Sequence, residues 1–327
     1  MNKTLAYCLL AALGLTSAAA PALAQDWPSK PITFVVGYPA GGPVDALARA
    51  LGQRLSAELK QPVVIDNKPG ANEIVASQFV ARSKPDGYTL FVSTEAPLTQ
   101  NQFLYKKLGY VPETDLVPIS QLIHVPMVLA VRPDFPAETA REFIARARAR
   151  SNSEPVNYAS AGVGGVTHLP MAMLGKNEGF RWNHVPYKGA APILPDLMAG
   201  QVDATMLAVA FLGPYIVDKK IKGLAVSAEQ RPKALPHVPT FKELGIKDVQ
   251  AGFLIGLTGP KGLPPALAVR LANAARAVLQ EQDFRDKYID PYAYSVVASS
   301  PTAFALYLRN DRTVQEERVR ASGATLD

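Results

Sequence analysis

Two glycine-rich loops hold the residues whose types and spacing could do chemistry. Tyr38-Pro39-Ala40-Gly41-Gly42 and Ser160 to Thr167 each follow a short apolar run and lead into an amphipathic one. Small residues between a strand and a helix let a ligand approach backbone N–H groups, and the unpaired amides of a helix start favour an anion. Neither loop contains Lys or Arg. Recognition there would rest on backbone dipoles and hydroxyls. Glycines at such turns also serve packing alone, so both roles stand at this point. Asp45 sits in the first turn after the first loop, where an acid complements the helix dipole, and capping is its default role.

Signatures of catalysis are missing from the same residues. Ser160 stands in Tyr158-Ala159-Ser160-Ala161-Gly162, which lacks the first glycine of a G-x-S-x-G elbow. The single cysteine, Cys8, lies in the N-terminal leader, which leaves no thiol nucleophile downstream. His124, His168, His184 and His237 show neither H-x-x-x-H nor H-E-x-x-H spacing, and each reads as a structural residue. The run Gly162 to Thr167 misses the last glycine of a dinucleotide pattern, and no phosphate-binding loop with a lysine occurs. No catalytic residue, metal or cofactor is expected.

The elements that must position these loops alternate. Ile32 to Val36, Val63 to Asp66 and Tyr88 to Ser93 read as strands, with helices predicted over Pro43 to Lys60 and Asn72 to Ser83. Leu47, Leu51, Leu55 and Leu59 give the first helix one apolar stripe, and Pro43 suits its first turn. The pattern restarts at Val156 to Ser160, followed by helices over Val166 to Glu178, Pro192 to Ala199 and Phe211 to Lys219. Strands at Val202 to Ala208 and Gly223 to Ser227 complete this second series. Extended stretches at Val117 to Val131 and Phe253 to Thr258 lie beside it, and the C-terminal part is helical, its last helix opened by Ser300-Pro301. Such alternation predicts mainly parallel sheets covered by helices, in two α/β lobes joined by two crossing segments with a ligand cleft between them.

The chain has 327 residues, 48% hydrophobic and 19% charged, with a net charge of +6. That composition excludes disorder and fibrous or disulfide-rich scaffolds. Lys3, the apolar run Leu5 to Leu15 and Ala22-Leu23-Ala24 form a secretory signal with cleavage after Ala24, which points to a bacterial periplasm. The basic clusters Arg141 to Arg150 and Lys219 to Lys222 lack interleaved aromatics, so no nucleic-acid partner is expected.

Ordered motifs across the mature chain carry a resemblance. They include Trp27-Pro28-Ser29-Lys30-Pro31-Ile32, Pro39-Ala40-Gly41-Gly42 with Asp45, Asn67-Lys68-Pro69-Gly70-Ala71 and Pro85-Asp86-Gly87-Tyr88-Thr89-Leu90. Further on stand Asn157 to Gly162 with His168-Leu169, Val185-Pro186-Tyr187-Lys188-Gly189, Gly200-Gln201-Val202-Asp203 and Leu235 to Thr240. The sequence resembles the periplasmic substrate-binding components of tripartite tricarboxylate transporters, the Bug family. The resemblance implies a type II periplasmic binding protein fold, with residues 25–122 plus 253–327 as lobe 1 and 123–252 as lobe 2. It also implies a non-enzymatic, monomeric protein that captures a small carboxylate and delivers it to transporter membrane subunits or to a sensor. An exported α/β hydrolase is the alternative of a different class.

Mapped residue by residue, the resemblance assigns ligand contacts to Tyr38, Ala40, Gly41 and Gly42, to Ser93, Thr94 and Glu95, to Ser160, Gly164, Gly165 and Thr167, and to Ala208. The chain departs from the family pattern at several of these places. Pro43 and Val44 replace a glycine and a threonine, Asn72 and Glu73 stand where small residues are usual, and Glu95 replaces a small residue. Gly165 and Val166 replace hydroxyl residues. These changes imply a pocket poorer in hydroxyls and more negative than its relatives' pockets. The leader yields the first prediction. Export should remove 24 residues and leave Gln25 at the N-terminus; the intact mass of the exported protein checks this, and any other start residue contradicts it.

Overall fold

The computed structural model describes residues 27–246 and 251–326. The signal segment and its cleavage site lie outside the described residues.

Apolar β-branched runs form the first layer. β1 (Ile32–Val36) pairs in parallel with β2 (Val63–Asn67) and with β3 (Thr89–Ser93). α1 (Pro43–Leu59) joins β1 to β2 and turns Leu47, Leu51 and Leu55 fully into the core, with Leu59 packed at its edge. The helix stops at Lys60, which adopts a left-handed conformation. α2 (Ile74–Ala81) precedes β3. A single π turn (Ala96–Gln100) and the short helices α3 (Asn101–Leu104) and α4 (Pro112–Asp115) follow it; none of the three is marked by periodicity.

The chain then runs as one long strand, β4 (Leu116–Val131), from the first half into the second. Residues Leu116 to Pro126 pair antiparallel with β9 (Gly252–Pro260), which itself pairs antiparallel with β3. Residues Met127 to Val131 pair antiparallel with β7 (Ala204–Ala208), and Val128 to Val131 with β8 (Lys222–Val226). β5 (Val156–Ser160) is parallel to both β7 and β6 (Trp182–Pro186). The sheet order is therefore β2-β1-β3-β9-β4-β7-β5-β6, with β8 and the two-residue β10 (Ser295–Val296) paired to β4 off this path. The two halves are parallel at their outer strands, as expected, and mixed in the middle. The crossing strands run antiparallel because the chain returns along the path by which it left.

Helices cover both halves: α5 (Ala140–Arg150), α6 (Leu169–Asn177), α7 (Ile193–Met198) and α8 (Val209–Val217) in the second, then α9 (Pro265–Gln280), α10 (Gln282–Tyr288) and α11 (Pro301–Ser322). Leu271, Val278 and Leu279 of α9 pack into the first half's core, so the C-terminal section returns there. Ser300 caps α11 by accepting the Ala303 amide at 3.2 Å. Val319 of α11 reaches across to Leu104 and Leu169, which belong to different halves. Three arginines of α5 are engaged: Arg141 donates to the Leu244 carbonyl, Arg148 pairs with Glu178 at 2.7 Å, and Arg150 lies 3.8 Å from both Glu154 and Asp203.

One motif aspartate has a structural explanation. Asp203, mostly buried, accepts from Arg132 Nε at 2.9 Å and from the Asn157 amide at 3.0 Å. It therefore ties the end of β4 to the starts of β5 and β7. Asp203→Ala should lower stability by about 1.5–3 kcal/mol, the usual range for losing a hydrogen bond to a charged group. Urea denaturation reads the loss, and a midpoint unchanged from the parent would contradict this role.

Candidate functional site

The first glycine loop leaves β1 at Val36 and is shaped by one carboxylate. Asp45 Oδ2 accepts from the Gly41 amide and from Arg49 Nε, both at 2.9 Å, while Oδ1 accepts from Asn67 Nδ2 at 2.9 Å. The same Asn67 amide donates to the Tyr38 carbonyl at 3.0 Å, and Arg49 Nη2 donates to Asn67 Oδ1 at 2.9 Å. Burial alone would raise the Asp45 carboxyl, but these donors outweigh it and hold it below the usual carboxylate range. Asp45 thus organises the loop, which is more than capping. The Gly41 amide is taken by Asp45 rather than left for a ligand, so the backbone-dipole expectation does not extend to that group. Gly41 has φ +92°, which favours glycine, and a Cβ there would meet nothing within 4 Å. Ala40 and Gly41 are exposed, and Gly42 and Tyr38 are half-buried.

Ser93, Thr94 and Glu95 follow β3 and are all buried. The Thr94 amide donates to Glu73 Oε1 at 3.2 Å, and its hydroxyl donates to the same oxygen. Ser93 Oγ has no hydrogen-bond partner. Glu95 turns toward β9 and α11, where its Oε2 accepts from the Leu254 amide at 3.0 Å. Burial first, and then the charge of Asp311, push its carboxyl up to about 8. Glu95 lines a cavity of about 720 Å³ together with His124, Asp311, Gln315 and Arg318. No residue of either glycine loop lines that cavity.

The second glycine loop leaves β5 and is held by hydroxyls and histidines. Ser160 Oγ donates to the Gly162 carbonyl at 2.9 Å and lies 2.6 Å from His184 Nε2. Thr167 Oγ1 accepts from the Ala161 amide at 2.9 Å, and His168 Nδ1 accepts from the Gly164 amide at 3.0 Å. The His168 and His184 rings stack with centroids 3.9 Å apart, and Tyr158 continues the column 4.9 Å from His184. Ser160 is fully buried, with its hydroxyl within hydrogen-bond reach of both the Gly162 carbonyl and His184 Nε2. Gly162 faces open space as Gly41 does, whereas a Cβ on Gly164 would run into Leu104. Gly165 lies near Asn72, and its carbonyl accepts from the His168 amide at 2.9 Å. Ala208 closes β7 opposite Met127 and opens α8.

Two side chains from the first half join the loops. Gln100 Nε2 donates to the Gly164 carbonyl, and Asn72 Nδ2 donates to the Val163 carbonyl at 3.5 Å. Sequence reasoning missed both roles. Nothing in the spacing marks Gln100; Asn72 was visible only as a polar residue where small ones are usual. Asn72 and Gln100 thus tie the first half to Val163 and Gly164 of the second glycine loop, and Thr94 is tied to Glu73. Glu95 turns away from these contacts.

The buried titratable groups give the fold a pH dependence with two opposite signs. Burial, and then His184, push His168 down to about 3, in keeping with an Nδ1 that must accept a hydrogen bond. The unfolded chain takes up that proton near 6.5, so this stability is present above pH 6.5 and lost as pH falls toward 3. Burial pushes Glu73 and Glu95 up to about 8 from 4.5, so their contribution is present below pH 4.5 and lost as pH rises through 8. His168→Asn keeps an acceptor for the Gly164 amide without the titration. Its melting temperature should fall less than the parent's between pH 6.5 and pH 4; an equal fall would show that His168 does not set the acid limb.

Comparison with known proteins places this geometry. A family model described as the tripartite tricarboxylate transporter family receptor matches residues 47–313. BugT of Bordetella pertussis is 32% identical over 296 residues, covering 89% of this chain and 90% of BugT. An R. palustris protein solved with adipate superposes with a TM-score of 0.83 at 29% identity, over 92% of this chain and all of the other. MatC from Rhodopseudomonas palustris, solved with bound malate, gives a TM-score of 0.78 at 29% identity, over 90% of this chain and all of MatC. These similarities extend over about nine-tenths of the chain, and the two-lobed α/β fold is shared with the solved relatives. The chain belongs to the tripartite tricarboxylate transporter receptor family.

Proposed function

We propose that this chain is a periplasmic solute-binding protein that captures a small carboxylate between its two glycine loops and presents it to the membrane subunits of a transporter. The observation that carries the reading is the pairing of two loops at the carboxyl ends of parallel strands, each with a glycine facing open space and neither with a cation. Ligands of open α/β sheets lie at that end of the strands, where neutral donors are concentrated. The relatives solved with adipate and malate hold acids, which supports the ligand class. Residues 25–122 plus 253–327 would move as one lobe and 123–252 as the other, with Asn72 and Gln100 as the latch between them. The protein has no catalytic role in this reading, since the Ser160 hydroxyl is fully buried.

A thermal-shift screen over mono-, di- and aromatic carboxylates tests the ligand class, because a ligand that binds only the folded state raises the melting temperature. At least one acid should stabilise the protein while its primary amide does not. Stabilisation by none of them, or turnover of an ester at catalytic protein levels, would sink the reading. Gly41→Asp sets a fixed negative charge at the cleft mouth, whose like-charge repulsion should weaken binding of that acid by about tenfold or more. Lys68→Ala is the control, since Lys68 pairs with Asp66 at 3.0 Å and lies over the Phe79 ring. Near-native calorimetric affinity in Gly41→Asp would place the ligand elsewhere, with the cavity beside α11 as the next candidate.

A further inference from the structure

Glu73 stands in a backbone that no glutamate would choose. Gly70, Ala71, Asn72 and Glu73 have φ of +139°, +46°, +48° and +70°, a left-handed run in which three residues carry side chains. Such a run persists only when its surroundings over-determine it, and it concentrates at functional sites. The surroundings here are specific. A Cβ on Gly37, at the exit of β1, would come within 2.6 Å of the Glu73 Cβ, so a glycine is kept where the Glu73 stem passes. The side chain is 1% exposed, and Oε1 takes both donors of Thr94. The Tyr38 side chain adjoins the same carboxyl, whereas Oε2 is buried with no partner.

The groups that hold this carboxyl are neutral donors from the ends of β1 and β3, which is the set a ligand carboxylate would seek in this half of the cleft. We infer that Glu73 occupies one carboxylate position of the cleft from within the chain, and so makes the protein select acids with one carboxylate over acids with two. The inference rests on the carboxylate reading above. A diacid needs two sets of donors; with Thr94 already taken, its second carboxylate would be buried against another carboxyl. Rejection of that kind is the repulsive half of specificity. The carboxyl group, pushed up to about 8 by burial, stays largely protonated at neutral pH, so occupancy of the donors rather than charge is the operative effect.

Calorimetry with the mature protein and matched pairs of acids provides the test: butanoate with succinate, hexanoate with adipate, and benzoate with terephthalate. The parent should bind a monoacid at least about tenfold more tightly than its diacid partner. Glu73→Gly, which suits a φ of +70°, frees the Thr94 donors and should shift that ratio toward the diacid by about tenfold or more. Glu73→Gln fills the same space and accepts the same bonds, so its ratio should stay within about threefold of the parent's. A parent that binds a diacid as well as its monoacid partner overturns the inference, as does an unchanged ratio in Glu73→Gly. Acids bound with a constant ratio in all three proteins would remove the role of Glu73 alone. Binding of no acid by any of them would remove the carboxylate reading and this inference together. The parent's preference is itself decisive, whatever the folding yield of the variants.

Discussion

Both halves of the molecule depend on one piece of backbone. β4 spends its first residues as the partner of β9 and its last as the partner of β7 and β8. From Ile119 to Val131 its apolar side chains are buried without a break. A strand buried on both faces and paired with β9 along its first part and with β7 and β8 along its last leaves few backbone groups to water, and its displacement would open two cores at once. The relative placing of the two glycine loops is therefore set far from the loops themselves. It is set by the registers that β4 keeps with β9 on one side and with β7 on the other.

The loops contribute their own constraint, which is satisfaction of their backbone amides by nearby side chains. Asp45, Asn67 and Arg49 close the first loop, and Ser160, Thr167 and His168 close the second. In each case a polar side chain takes a loop amide, Asp45 that of Gly41, Thr167 that of Ala161 and His168 that of Gly164. This leaves fewer free donors than the glycine content suggests. It also explains why motif residues such as Asp45 and Asn67 need no contact with a ligand to be required by the site. They fix the shape of the loop backbone.

Much of the fold was legible because hydrophobic period and punctuation agreed. β1 and β5 have the boundaries read from the sequence, α1 stops one residue short of the expected end, and β4 and β9 are the two extended stretches. The antiparallel middle of the sheet was not legible, since strand direction depends on the return path of the chain and leaves no local period. β6 was missed because Trp182 to Pro186 is half exposed and ends in proline, so it lacks the apolar run of a central strand. The site was legible at the glycine loops, where small residues sit between a strand and a helix. It was not legible at Gln100, whose π turn has no sequence signature, nor in the opposed orientations of Thr94 and Glu95. Adjacent residues leaving a strand share the same composition whichever way each one points.

Neutral donors change what kind of discrimination a cleft can perform. A buried arginine would attract any anion, and its attraction would fall only slowly with misplacement. Hydrogen bonds to amides and hydroxyls are short-ranged and directional, so a cleft built from them counts and positions acceptors. In such a cleft each internal side chain that takes a donor alters the count, and a single acid in the wall changes it more than any distant charge. The left-handed run at Ala71 to Glu73 is the clearest mark of that trade, because its backbone cost is offset by hydrogen bonds to the Asn72 and Glu73 carbonyls and by those its carboxyl accepts from Thr94. In the proposed site, selectivity would then reside in how the chain saturates its own donors, as Glu73 does with Thr94.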